Sequence, residues 1–288
     1  MAQTKEIRKK IGSVQNTKKI TSAMELVASS KMKKTQDAMS KGKPYSKKIV
    51  ELIDSLSNAS SEYKHPFFNE SESKTDIYII VGTDKGLCGG LNSNLFKKAL
   101  ANMADREKKG RKVQVVTFGK KAADVFSRLK NAEILGTAAK LGDIPKAEDV
   151  IGSSQIAISE FENGSIGNVY LYANEFINTM SQAPFERKVL PIASIEANEE
   201  KKKIWDYIYE PSSKEILDRL LKRYIETQIY QAVIENNACE QAAKMIAMKN
   251  ASENAEEIIN DLQLLYNNAR QASITQELSE IVGGAAAI

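Results

Sequence analysis

The sequence predicts an α/β protein in which a long N-terminal helix and a long C-terminal helix pair as an antiparallel two-helix coiled coil rooted in a central α/β domain. Three observations lead there. Helical periodicity runs through both ends of the 288-residue chain, strand and helix signals alternate between them, and the two ends carry opposite charge. Residues 1–50 hold thirteen Lys or Arg against three acids, while residues 210–288 hold twelve acids against seven bases. The net charge of +4 conceals that complementarity.

The N-terminal segment, 1–60, reads as one helix from Lys5 to about Leu56, with Pro44 its only proline. Ile7, Ile11 and Val14 begin an apolar stripe at spacings of four and three. The stripe drifts to Ile20, Met24 and Val27 and later touches Met32 and Met39. So narrow a seam suits a coiled coil better than a globular core. Residues 57–74, with His65-Pro66 and several serines, read as a connection.

The middle, 75–205, alternates. Residues 76–82 (DIYIIVG) read as a buried strand, 93–109 as a helix, 112–118 as a strand and 120–130 as a helix. A helix over 149–161 and a strand over 168–173 follow. Such alternation gives a Rossmann-like domain on a largely parallel sheet. From 210 to 288 helix resumes, with Ser213 as a cap and Glu215 in the first turn. Leu217, Leu221 and Tyr224 share one face, and Ile258, Leu262, Leu265, Ala269 and Ala272 keep heptad spacing. A helix of that length is expected to project beyond the domain and to need the oppositely charged N-terminal helix as its partner. Two helices lying flat on the domain are the alternative, which would leave much of each seam exposed.

Composition narrows the classes. No apolar stretch approaches the roughly 18 residues of a membrane helix. The basic, polar N-terminus lacks the apolar core of a secretory signal, so the chain is expected to stay where it is made. Cys88 and Cys239 are far apart and in no CxxC pattern, and His65 is the only histidine. Neither a metal site nor a cofactor is expected from such material.

The segment Gly82-Thr83-Asp84-Lys85-Gly86-Leu87-Cys88-Gly89-Gly90 lies between a strand and a helix, where α/β proteins often cradle phosphate. It lacks the GK[ST] ending of a P-loop, and its glycines do not fall as GxGxxG. A tight turn needing positive φ competes with a small nucleotide-binding site there. Cys88 beside Lys85 invites a nucleophile reading, but no second histidine or clear base supports it. The basic N-terminal helix could meet nucleic acid, yet its charges surround the helix and no aromatic precedes Tyr45. Trp205, Tyr207 and Tyr209 form an extended aromatic cluster that reads as packing.

Three passages resemble one family. The runs KEIRKKIGSVQNTKKITSAMELVASSKMKK, TDKGLCGGLN and RQASITQELSEIVGGAAA are each similar to the gamma subunit of bacterial ATP synthase, in order and at matching distances. FINTMSQ at 176–182 and WDYIYEP at 205–211 extend the likeness over essentially the whole chain. The resemblance implies a non-catalytic rotor shaft inside a hexamer of alpha and beta subunits, with epsilon and the membrane c-ring as further partners. It implies no nucleic acid, and contact with the membrane only through the c-ring, on the cytoplasmic face of the bacterial inner membrane. Carried over residue by residue, it sets Lys18, Lys19, Met24, Lys31, Lys33, Cys88, Gln271, Thr275 and Glu277 against beta subunits. Tyr207 and Glu210 would face the c-ring or epsilon, and the tail 282–288 would turn in an apolar sleeve.

Overall fold

The computed structural model describes residues 2–59, 65–192 and 213–285. The chain divides into two compact units, Ser30–Ala243 and Met1–Ser29 with Lys244–Ile288. Both terminal helices, α1 (Ala2–Ala59) and α5 (Ser213–Ala285), contribute to each unit.

In the larger unit, a five-stranded sheet has the order β3-β2-β1-β4-β5. Its strands are β1 (Thr75–Val81), β2 (Lys112–Phe118), β3 (Ala132–Ala138), β4 (Asn168–Phe176) and β5 (Gln182–Leu190). The first four are parallel, joined through helices α2 (Leu91–Lys108), α3 (Lys120–Phe126) and α4 (Ala147–Glu162); β5 returns antiparallel to β4. Because β1 is central and covered on both faces, its sequence is a continuous apolar run rather than an alternation. Ile77, Ile79 and Val81 face one core with Ile158 and Phe161 of α4, Leu221, Ile225 and Ile229 of α5, and Ile49 and Ile53 of α1. Tyr78 and Ile80 face the other, with Leu95, Ala99 and Met103 of α2 and Phe126 of α3.

Two polar clusters pin the sheet. Asp76, fully buried, accepts from Arg111 Nε (2.5 Å) and Nη2 (2.7 Å) and from Asn168 Nδ2 (2.8 Å). A buried carboxylate is tolerable only with such partners. Arg106 of α2 lies 3.6 Å from the centroid of the Tyr170 ring, pairs with Glu186 of β5 and reaches the Tyr78 and Tyr172 hydroxyls at 3.4 Å. Burial works against its charged form, yet hydrogen bonds to Tyr78 and Glu186 outweigh that and raise its pKa.

Strands β3 and β5 were not among the expected elements. Gly136 interrupts the apolar run of β3, and β5 carries Pro184, Glu186, Arg187 and Lys188. Both are edge strands, half wet, where proline and charge are tolerated and periodicity fades.

Candidate functional site

The smaller unit, Met1–Ser29 with Lys244–Ile288, is built from α1 and α5 alone. The helices run antiparallel: Thr21 Oγ1 lies 2.6 Å from Ser252 Oγ, and Lys18 Nζ lies 2.9 Å from Glu256 Oε1. On α1 the covered positions include Thr4, Ile7, Ile11, Val14, Lys18, Thr21, Glu25 and Ala28, spaced alternately by three and four, with Gly12 and Met24 half-buried beside them. On α5 they include Met248, Ser252, Ala255, Ile259, Leu262, Tyr266, Ala269 and Ser273, with Ala251 and residues 244–247 also partly covered.

This seam corrects the one expected from apolar spacing. Ile7, Ile11, Val14, Leu262 and Ala269 face inward as expected. Met24 is half-buried, as Ile7, Ile11 and Val14 are, whereas Ile20 and Val27 are exposed, as are Ile258, Leu265 and Ala272. Past Val14 the α1 seam continues through Lys18, Thr21 and Glu25, polar side chains that a search for apolar periodicity passes over. Further apolar side chains stand outside: Leu26 is 70% exposed and Leu264 65%, and Ile274, Leu278, Ile281 and Val282 form an open stripe on the last turns of α5. Between the helices, Gln15, Lys18, Lys19, Ser22, Ala23 and Leu26 line an open groove with Glu256, Ile259 and Asn260.

Gln271, Thr275 and Glu277 are exposed on α5, the first two one turn apart. Lys19 and Lys33 are exposed on α1. Lys18 is engaged by Glu256, and Lys31 is held 2.7 Å from Asp143 within its own unit. Tyr207 and Glu210, with Trp205 and Tyr209, lie outside the described residues.

The glycine segment is a self-filled turn. Thr83 Oγ1 donates to the Lys85 carbonyl (2.6 Å), while Asn92 Nδ2 donates to Thr83 Oγ1 (2.7 Å) and reaches Cys88 Sγ at 3.4 Å. Positive φ occurs at Gly89 and at the non-glycine Leu87. Cys88 is buried against Leu91 and Cys239, while Leu87 is the exposed apolar side chain of the turn, beside exposed Lys85. Burial, then the nearby Glu235 charge, push the Cys239 thiol up, which keeps it protonated and inert.

Sequence reasoning passed over two further features. The Asp84 carboxylate accepts from the backbone N–H groups of Lys120, Lys140 and Leu141 at 3.0 to 3.1 Å, tying the ends of β1, β2 and β3 together. On α5, Asn236, Asn237, Glu240 and Gln241 are buried in succession, where an apolar stripe would be the default. The signal was a polar run, ENNACEQ, inside an otherwise amphipathic helix. Among the described residues, no cluster of His, Cys, Asp and Glu is placed to hold a metal ion, and no helix is long and apolar enough to cross a membrane.

The ATP synthase family model matches residues 3–288. An ATP synthase gamma chain from Legionella pneumophila (strain Corby) is 53% identical over 291 residues, covering 100% of both chains. Two solved structures share the fold. The rotor of the Euglena gracilis mitochondrial ATP synthase has 16% identity and a TM-score of 0.66, over 95% of this chain and 99% of that one. The central stalk and c-ring structure of the Tetrahymena thermophila mitochondrial enzyme has 22% identity and a TM-score of 0.60, over 81% and 99%.

Proposed function

This chain belongs to the ATP synthase gamma family, and from that premise we propose that it is the central rotor shaft of a rotary ATP synthase. Its smaller unit turns within a hexamer of alpha and beta subunits. It has no chemistry of its own: catalysis belongs to the beta subunits, and the shaft's changing face drives them in turn.

The observation that carries this reading is the apolar exterior of the coil, beside a seam that admits polar side chains. Lys18, Thr21, Glu25, Ser252 and Ser273 occupy seam positions while Ile20, Leu26, Val27, Leu264, Leu265, Leu278 and Ile281 face outward. An apolar exterior of that extent marks a surface meant to be covered. Apolar contacts are nondirectional, so a sleeve around them holds the coil without fixing its angle. Lys19 and Lys33 supply complementary charge for an acidic lever segment of beta, with Met24 as an apolar contact to it. Lys18 and Lys31, already paired with Glu256 and Asp143, join that set only by exchanging partners. Gln271, Thr275 and Glu277 are the proposed catch for a second beta loop. The turn around Cys88 lies close to beta, with exposed Leu87 as its contact. Tyr207 and Glu210 meet the c-ring or epsilon, and the chain reaches the cytoplasmic face of the bacterial inner membrane only through that ring, whose ion flow it couples to ATP synthesis.

The test is affinity purification of tagged chain from detergent-solubilised membranes, followed by single-molecule observation of a reporter on its α/β domain. The reading expects alpha, beta, epsilon and c subunits to co-purify and the reporter to turn when ATP is added. Recovery without them, or ATP hydrolysis beneath a static reporter, would refute it.

A further inference from the structure

The buried polar run on α5 has a specific set of partners. Asn236 Nδ2 donates to the Gly82 carbonyl at the end of β1 (3.2 Å), and its Oδ1 accepts from Asn174 Nδ2 of β4 (2.8 Å). One turn along, Asn237 Nδ2 donates to the carbonyls of Gly142 (3.1 Å) and Asp143 (3.2 Å). Gln241 Nε2 lies 3.5 Å from Asp143 Oδ1, and the Tyr230 hydroxyl donates to the Pro145 carbonyl (3.1 Å). Every partner sits at the C-terminal edge of the parallel strands or in the segment between β3 and α4. That segment is bonded back to the sheet through Asp84, which takes the N–H groups of Lys140 and Leu141, and to α1 through Lys31 and Asp143.

Elsewhere α5 meets the sheet through Leu217, Leu221, Ile225, Ile229 and Val233. Such packing resists separation strongly but constrains rotation about the helix axis weakly, because it has no preferred direction. Hydrogen bonds do have one, since they weaken steeply as angle and distance depart from their optimum. Burying three amides beside the half-buried Tyr230 costs stability, the more so because Gln241 Oε1 finds no partner among the described residues, so an apolar run would be the cheaper way to pack the same surface.

We propose that Tyr230, Asn236, Asn237 and Gln241 of α5, clasping the 142–145 segment and the ends of β1 and β4, are the torque-bearing joint between the long helices and the α/β domain. The role in torque rests on the rotor reading; the clasp itself does not. These are positioning residues: they touch no nucleotide and set the angle at which the domain follows the helix.

The test uses the triple variant Tyr230→Phe, Asn237→Leu and Gln241→Met, which removes the donors while keeping side-chain volume. In the free chain, amide hydrogen exchange across residues 139–146 is expected to quicken at least about tenfold. Unchanged exchange would overturn the clasp whatever the complex does. In the assembled complex, with the hexamer fixed and a reporter bound to the α/β domain, ATP hydrolysis is expected to stay at the parent rate. The reporter's angular variance within each dwell is expected to rise about twofold as directional bonds are lost, and restoring Asn237 is expected to recover part of it. Parental variance in a variant whose exchange has quickened would overturn the torque-bearing role. A parent complex that never turns would overturn the rotor reading and leave the exchange result standing. Should the triple variant fail to fold, Tyr230→Phe alone deletes one hydroxyl, and faster exchange confined to residues 143–147 decides the matter.

Discussion

Leu262 and Leu265 lie three residues apart on α5, and replacing each with Asp separates the coil's seam from its exterior. Leu262 is half-buried in the seam, whereas Leu265 is 54% exposed. Fully burying a leucine is worth about 1.5–3 kcal/mol. Half of that, about 1 kcal/mol, is lost at Leu262→Asp. An unpartnered carboxylate in the seam adds about 1–3 kcal/mol. The sum is about 2–4 kcal/mol, while Leu265→Asp stays within about 0.5 kcal/mol, as surface changes do. The assay is urea unfolding of the isolated chain, with hydrogen exchange over residues 250–270 because the coil can open locally. In the complex the order is expected to reverse in kind: Leu265→Asp folds normally but places a charge where the sleeve must close, and so lowers recovery of alpha and beta subunits. Equal costs at both sites in the free chain would refute the seam assignment. A Leu265→Asp chain that assembles as well as the parent would remove the case for a covered exterior.

Three further outcomes follow from the α/β domain. Arg111→Ala strands the Asp76 carboxylate in the core and is expected to cost about 3–5 kcal/mol in urea unfolding; a loss below about 1 kcal/mol would mean that Asn168 suffices. Gly119→Ala meets both a φ of +87° and a Cβ 2.6 Å from the Gly82 carbonyl oxygen, whereas Gly164→Ala meets a φ of +73° in open space. Paired thermal melts are expected to show Gly119→Ala costing more than the roughly 1–2 kcal/mol of left-handed strain alone, and equal melts would contradict the close approach. Burial pushes the Tyr78 hydroxyl up to about 12, so the folded chain keeps a proton that the unfolded chain releases near pH 10. That contribution is present below pH 10 and disappears as pH rises to 12. Alkaline unfolding followed by phenolate absorbance is expected to be shallower in Tyr78→Phe, and an unaltered slope would count against this account.

Legibility in the sequence followed burial. Ile77 to Val81 announced itself because a central strand covered on both faces leaves no room for polar residues, and β2 and β4 beside it read almost as clearly. At the edges, Lys188 and Glu186 satisfy water or Arg106 rather than a pattern, so β5 was hidden. The coil was legible as a coil but not in register. Apolar spacing led to Ile258 and Leu265, side chains that stand exposed, while the intrachain seam used Thr21, Ser252 and Lys18. The residues proposed to meet beta came from family motifs rather than from physics, because an exposed Gln271 or Thr275 alone has nothing to distinguish it from ordinary surface.

The polar choices in the two units answer different mechanical demands. In the coil, the Thr21–Ser252 hydrogen bond is a directional contact within a largely apolar seam, and a polar pair at such a position fixes register at a cost in stability. Apolar side chains are kept on the outside, where a rotating surface needs contacts without angular preference. At the base of α5 the requirement is the opposite, since the helix must not turn against the sheet, and there Asn236, Asn237 and Gln241 replace the apolar stripe. A chain optimised for stability alone would exchange both placements, filling the seam with leucine and the α5–sheet contact with valine and isoleucine. Thr21→Val with Ser252→Ala performs the first exchange, and is expected to raise the unfolding midpoint of the free chain while leaving coil register less uniquely set. Broadened distance distributions between spin labels on residues 8 and 264, in a chain that melts higher than the parent, would carry that point; a sharper distribution would refute it.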